Sequence, residues 1–212
     1  MIVMFADLAG YTALTDVHGD EEAVATVEAF RTVVTDAADR HSLRVIKGIG
    51  DAFLLIGDDG TAAMTAARSV VDQMAEIERA PAVRVGIHEG PVTERDGDVF
   101  GHSVNIAARV ASEARAGQIL ITPHVLTAAQ PPSGVEPLSV GHRTFRNVSM
   151  PIELFDISHD RSSRKFIDPI CQMLVSAESA AGTIKHEGQT LYFCSVDCIK
   201  RFVEADEGGT TR

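Results

Sequence analysis

The sequence predicts a mixed α+β domain over residues 1–157, followed by a very small α+β module over residues 168–205. Three observations carry this. Short apolar runs that end at turn residues alternate with long amphipathic stretches. The composition shifts to charged residues and serine at Ser158–Lys165, which marks a linker over residues 158–167. All three cysteines of the 212-residue chain fall inside one short segment near its end.

Ile2–Ala6 is an apolar run ending at Asp7, the pattern of a buried strand, and Gly10 breaks it. Val24, Val27, Phe30, Val34 and Ala37 recur along one face of a long helix over Glu21–Arg40. Leu43–Ile46 and Ala52–Ile56 are strands, joined by Lys47-Gly48-Ile49-Gly50-Asp51 as a glycine-rich hairpin turn. A second helix is expected over Thr61–Ile77. Val83–His88 alternates as a strand, and Pro91–Glu94 begins another before the Asp96-Gly97 turn. Val104–Ala114 is alanine-rich and helical. Gln118–Ile121, Leu138–Val140 and Pro151–Ile157 are expected to close the sheet. In the module, a hairpin turns at Glu187-Gly188, and Tyr192-Phe193-Cys194-Ser195 leads into a short helix. The polar tail over residues 206–212 is expected to fray.

Composition narrows the function classes. A 45% hydrophobic content leaves ample material for a core. The net charge of -11 disfavours a nucleic-acid partner, because such proteins present a basic patch. It does not disfavour a nucleotide site, where bound metal offsets local acidity. No apolar run approaches the roughly 20 residues that span a bilayer, so no membrane partner is expected. The start, Met1-Ile2-Val3-Met4-Phe5-Ala6-Asp7, lacks the basic residues and cleavage site of a signal peptide. An odd cysteine count without an export signal reads as free thiols or metal ligands, and as a cytoplasmic location. The first strand opens at residue 2, so no regulatory domain is expected before it.

Asp7 follows one buried strand, and Asp51 lies in the turn between two others. If these strands are neighbours, the two carboxylates meet at a sheet edge. Hard oxygen ligands so placed suit Mg²⁺ or Mn²⁺ shared with substrate phosphates. Alternatively, each aspartate merely starts a turn beside a glycine.

Several segments in order decide between these readings by resemblance. Phe5-Ala6-Asp7-Leu8-Ala9-Gly10-Tyr11-Thr12 and Lys47-Gly48-Ile49-Gly50-Asp51 resemble the two metal motifs of class III adenylyl and guanylyl cyclases. Arg84-Val85-Gly86-Ile87-His88-Glu89-Gly90 resembles the strand that follows them. Asp98-Val99-Phe100-Gly101-His102-Ser103-Val104-Asn105-Ile106-Ala107-Ala108-Arg109 resembles the substrate motif, and Ala116-Gly117-Gln118-Ile119-Leu120-Ile121 the strand after it. The resemblance covers residues 1–157 and implies a ferredoxin-like βαββαβ core.

That resemblance implies roles. Asp7 and Asp51 would bind two Mg²⁺ or Mn²⁺ ions, and the peptide Leu8, Ala9, Gly10, Tyr11 and Thr12 would offer N–H groups to phosphates near a helix start. Lys47 and Asp98 would read adenine: a cation donates to a ring nitrogen, and a carboxylate accepts from the exocyclic amine. Guanine presents the reverse pattern, so ATP is favoured over GTP. Asn105 and Arg109, four apart on one helix face, would orient the ribose and stabilise the pentavalent phosphorus. Arg146 stands where many members have a phosphate-binding lysine. The reaction implied is attack of the 3′-oxygen on the α-phosphorus, giving cyclic AMP and pyrophosphate. In the family the site lies between two subunits, so a homodimer with two equivalent sites is expected. The stretch between Pro91 and Val99 is shorter than the dimer arm of many members.

Asp168-Pro169-Ile170-Cys171-Gln172-Met173 and Tyr192-Phe193-Cys194-Ser195-Val196-Asp197-Cys198 resemble a YHS domain, a small family linked with metals. Cys171, Cys194 and Cys198 could ligate Zn²⁺ or Cu⁺, with His186 a candidate fourth ligand, or they could be small buried hydrophobes. Two rival functions remain at this level. A cyclase-like dimer that has lost turnover could sense metal or nucleotide. A diguanylate cyclase would need a Gly-Gly-Asp/Glu-Glu-Phe motif, which the sequence does not contain.

Overall fold

The computed structural model describes residues 1–158 and 165–208, with side chains described as far as Ala205. Residues 159–164 of the expected linker and 209–212 of the expected tail lie outside the described residues.

The chain runs β1 (Ile2–Leu8), α1 (Tyr11–His18), α2 (Asp20–Arg40), β2 (Arg44–Ile49), β3 (Ala52–Gly57), α3 (Gly60–Glu76) and β4 (Val83–Glu89). It continues through β5 (Thr93–Arg95), β6 (Asp98–Phe100), α4 (His102–Glu113), β7 (Ile119–Ile121), α5 (Pro123–Ala128), β8 (Leu138–Arg143) and β9 (Ile152–Asp156). Its last part holds β10 (Lys165–Ile167), β11 (Leu174–Ser176), β12 (Gly182–His186), β13 (Gln189–Phe193) and α6 (Val196–Gly208). Among the described residues, no helix is long and apolar enough to cross a membrane.

Seven strands form one mixed sheet in the order β2-β3-β1-β4-β7-β9-β8. Its first four strands, with α1–α2 and α3 as crossovers, have the βαββαβ order of a ferredoxin-like core. β1 is central because it can bury both faces: Ile2, Met4, Ala6 and Leu8 join one apolar cluster, and Val3 and Phe5 another. The first cluster packs under α2 and α3. The second packs under α4, through Ala107 and Ala111.

α4 sits close to the sheet because β4 carries Gly86 beneath it. A Cβ built there would lie 2.1 Å from the Ala111 backbone nitrogen. Only glycine lets the two backbones approach this far.

The structure departs from the sequence expectation in several places. α1 is a helix where only a break was read. Lys47, Gly48 and Ile49 belong to β2, so Lys47 is a strand residue and not a turn residue. A register irregularity between Val45 and Lys47 accommodates this. In α2, Val24 is 54% exposed, and the buried stripe is Ala23, Phe30, Val33, Val34, Ala37 and Ala38. Residues 165–167, expected as linker, form β10 and pair with β11.

The C-terminal segment is docked on the first domain. Ala82 donates to the Gln172 carbonyl and Leu174 to the Ala80 carbonyl. Leu14 and Ala23 of α1 and α2 share one buried cluster with Cys171, Met173, Val175, Phe193, Cys194 and Cys198.

Candidate active site and cysteine cluster

β1 delivers Asp7 to the end of the sheet, opposite Ala52 on β3 and Arg84 on β4. The two-residue turn after β2 brings Asp51 beside it, and the Asp51 carbonyl accepts from the Leu8 N–H. Asp7 is mostly buried, and Arg84 donates to its Oδ2 from Nε at 2.6 Å. Burial pushes the Asp7 carboxyl above its ordinary range; the Arg84 guanidinium pulls it down, and the Asp51 carboxylate pushes it up again. Two adjacent carboxylates at the end of these inner strands form a hard-oxygen pair that a divalent cation fits. Arg84 supplies the countercharge in this structure. In the sequence Arg84 stands only as part of a strand motif; its register opposite Asp7 emerges from the pairing of β1 with β4.

The peptide after Asp7 forms the N-terminus of α1, with Gly10 as the residue before the helix at φ 71°. Two of its expected phosphate donors are already engaged: Leu8 donates to Asp51 and Ala9 to the Ala82 carbonyl. Gly10, Tyr11 and Thr12 head the helix, where N–H groups lack intrahelical partners. A cavity of about 510 Å³ opens here, and its lining includes Ala9, Gly10, Arg84, Arg115, Ile167 and Gln172.

Lys47 of β2 and Asp98 of β6 also meet. Lys47 Nζ lies 2.5 Å from Asp98 Oδ2, and both side chains are partly exposed. The hydrogen bond from Lys47 holds the Asp98 carboxyl below its ordinary range, helped by the Val99 N–H. Lys47 also lies 6.0 Å from the centre of the Phe100 ring, which is half exposed. Asn105 and Arg109 project from α4; Asn105 is exposed, and Arg109 donates from Nη1 to the Arg146 carbonyl. The Arg146 side chain is itself exposed. Within one chain the structure pairs Asp7 with Asp51, Lys47 with Asp98, and Arg109 with Arg146.

The three cysteines lie together. Cys171 Sγ is 3.3 Å from Cys194 Sγ, which is 3.7 Å from Cys198 Sγ. All three are buried and free. His186, the expected fourth partner, instead packs edge-on against Phe202, at 5.3 Å between ring centres. The histidine beside the cysteines is His18, whose Nε2 is 3.5 Å from Cys194 Sγ. No sequence spacing points to it, since it ends a helix 176 residues away in the chain.

Comparison with known proteins agrees with this architecture. Residues 1–144 match the adenylate and guanylate cyclase catalytic domain, and the chain belongs to that family. It is 42% identical over 121 residues to an adenylate cyclase of Streptomyces coelicolor, covering 57% of this chain and 32% of that protein. It is 43% identical over 120 residues to an adenylate cyclase of Streptomyces griseus, covering 56% of this chain and 30% of that one. The chain thus spans about a third of the length of these relatives. In fold it is similar to an adenylyl cyclase from P. aeruginosa, with TM-score 0.64 and 21% identity over 76% of this chain and 94% of that one. It is also similar to an adenylate cyclase from Trypanosoma brucei in its monomeric state, with TM-score 0.67 and 21% identity over 76% of this chain and 89% of that one.

Proposed function

We infer that this protein is an adenylate cyclase, converting ATP to 3′,5′-cyclic AMP and pyrophosphate at sites formed between two copies of the chain. The observation that carries the reading is the pairing of Lys47 with Asp98 beside the exposed Phe100 ring. This is a cation and a carboxylate held side by side, the donor and acceptor that an adenine edge requires. The adenylate cyclases of the two Streptomyces species, at 42% and 43% identity, support it.

The residues fit the metals that such chemistry uses. Asp7 and Asp51 would hold two Mg²⁺ or Mn²⁺ ions, which when bound neutralise phosphate charge and favour ionisation of the attacking hydroxyl. The chain's own groups do the rest. Gly10, Tyr11 and Thr12 present N–H groups to phosphate oxygens at the head of α1. Arg84, which donates to Asp7, adds a guanidinium nearby. Asn105 and Arg109 hold the ribose and the reacting phosphorus, so that the 3′-oxygen lies in line with the leaving pyrophosphate. Arg146 adds positive charge beside Arg109.

In the proposed dimer, Asp7, Asp51 and the head of α1 of one copy form one group, and Lys47, Asp98, Asn105, Arg109 and Arg146 of the other copy form the second. Facing copies related by a two-fold axis would bring each group against the other's complement, making two equivalent sites. The C-terminal segment, whose motifs resemble a YHS domain, would be an appended module.

The reading is tested by incubating the reduced protein with ATP or GTP, with and without Mn²⁺, and measuring cyclic nucleotide. It predicts cyclic AMP from ATP only in the presence of the ion, and little cyclic GMP. A purified dimer that binds ATP and Mn²⁺ yet forms no cyclic AMP would favour a nucleotide-sensing module instead.

A further inference from the structure

One side chain of the first domain, His18, reaches the cysteines of the C-terminal module. Its Nε2 lies within 4.8 Å of the sulfurs of Cys171, Cys194 and Cys198, and those three sulfurs lie within the same distance of one another. We propose that His18, Cys171, Cys194 and Cys198 form a four-ligand Zn²⁺ site that ties α1 of the cyclase domain to the C-terminal module.

The spacing fits a tetrahedral ion. With Zn–S of about 2.3 Å and Zn–N of about 2.05 Å, tetrahedral angles place sulfurs roughly 3.8 Å apart and sulfur and nitrogen roughly 3.6 Å apart. The observed Cys194–Cys198 and Cys194–His18 distances are 3.7 and 3.5 Å. Cys171 and Cys194, at 3.3 Å, need to part by about half an ångström to reach the value set by tetrahedral Zn–S bonds.

The ligands are also held in place. Asp168 is fully buried and grips both cysteine-bearing segments: its Oδ1 accepts from the Ile170 and Cys171 N–H groups, and its Oδ2 from the Cys194 N–H. Cys198 is fixed in the first turn of α6, where its N–H donates to Ser195 Oγ. His18 is fixed as the last residue of α1. A donor set of three thiolates and one imidazole is a closed structural set for Zn²⁺. Binding would displace thiol protons to solvent, so uptake falls as pH falls.

The site has a mechanical consequence. The module touches α1 at both ends: at His18, and at Gly10, where a built Cβ would lie 2.6 Å from the Gln172 side chain. Zinc would therefore clamp the helix that follows the strand carrying Asp7. This holds whether or not the chain turns over ATP.

The test uses the full chain, reduced and metal-free. Zinc titration should give one ion per chain, and Co²⁺ should give the intense visible bands of a tetrahedral thiolate site. His18→Ala should weaken zinc binding at least tenfold and shift the Co²⁺ bands. His18→Cys should restore tight binding with bands of four-thiolate character. Hydrogen exchange in residues 11–18 should slow on zinc loading. Absence of stoichiometric zinc uptake by the parent chain overturns the site. Affinity and spectra in His18→Ala equal to the parent's overturn the assignment of His18. Unchanged exchange in residues 11–18 overturns the clamp.

Discussion

Replacing Gly86 by alanine tests how α4 is held in place. The new Cβ would meet the Ala111 nitrogen at 2.1 Å, the Ala111 Cα at 2.6 Å and the Val110 carbonyl carbon at 2.7 Å. All three are backbone atoms of α4, so no side-chain rotation relieves the contact. Ordinary contact is roughly 3.5 Å, so the helix must lift by about 1.4 Å, or the sheet must bend by as much. Overpacking of this kind costs about 1–3 kcal/mol, which a domain of ordinary stability survives. α4 also carries Asn105 and Arg109. A displacement on the order of 1 Å at such groups lowers turnover about a hundredfold. Gly86→Ala is therefore expected to stay folded by circular dichroism, unfold at a lower temperature, and lose about two orders of magnitude in kcat for ATP with Mn²⁺. A kcat within twofold of the parent would refute the claim that the close approach at Gly86 positions the α4 residues.

Three further outcomes are expected. Asp51→Ala should abolish cyclic AMP formation while leaving the thermal midpoint within a few degrees, since the residue occupies a turn; a normal Mn²⁺-dependent rate would remove it from the metal pair. Lys47→Glu should lower ATP turnover by more than tenfold through repulsion of Asp98. Because Lys47 lies in β2, a small stability loss should accompany it, and an unchanged ATP rate would dismiss the base-reading pair. His88 is 4% exposed, hydrogen-bonds Thr122, and has its pKa lowered to about 4, chiefly by burial and then by His124 and His102. Between about pH 6.5 and pH 4 the unfolded chain binds a proton that the folded chain does not, so stability falls as pH falls through this window, by about 3 kcal/mol in total. His88→Gln should flatten the slope of unfolding free energy against pH by about one proton, and an unchanged slope would show that His88 does not titrate this way.

The sheet was legible because its central strands are strongly patterned. β1 and β3 are apolar runs between turn residues, and a strand buried on both faces leaves little else for such runs to do; β4 alternates over Val83–His88. The segments misread share one cause: their reasons lie far away in the chain. α1 is only eight residues long, and its one buried residue, Leu14, is covered by the cysteine module. Without that partner its apolar content is too slight to mark a helix. Lys47 opens a segment with two glycines, Gly48 and Gly50, and so looks like a turn, yet its backbone pairs with Leu54 across the ladder. The candidate site shows the same division. Asp7, Asp51, Lys47, Asp98, Asn105 and Arg109 were visible as motif residues. Arg84's contact with Asp7 depends on strand register, and His18's with the cysteines on the docking of two segments. Neither relation leaves a trace in local spacing.

The most direct test of the shared site is complementation. Asp7→Ala removes one group and Arg109→Ala the other, so each variant alone should be inactive. On mixing, random exchange should make half the dimers mixed, each with one intact site and one doubly damaged site. Cyclic AMP formation should then return to about a quarter of the parent rate per chain, since a mixed dimer has one of two sites. Mixtures in which subunit exchange is demonstrated but no cyclic AMP appears would contradict the account and place the whole site within a single chain.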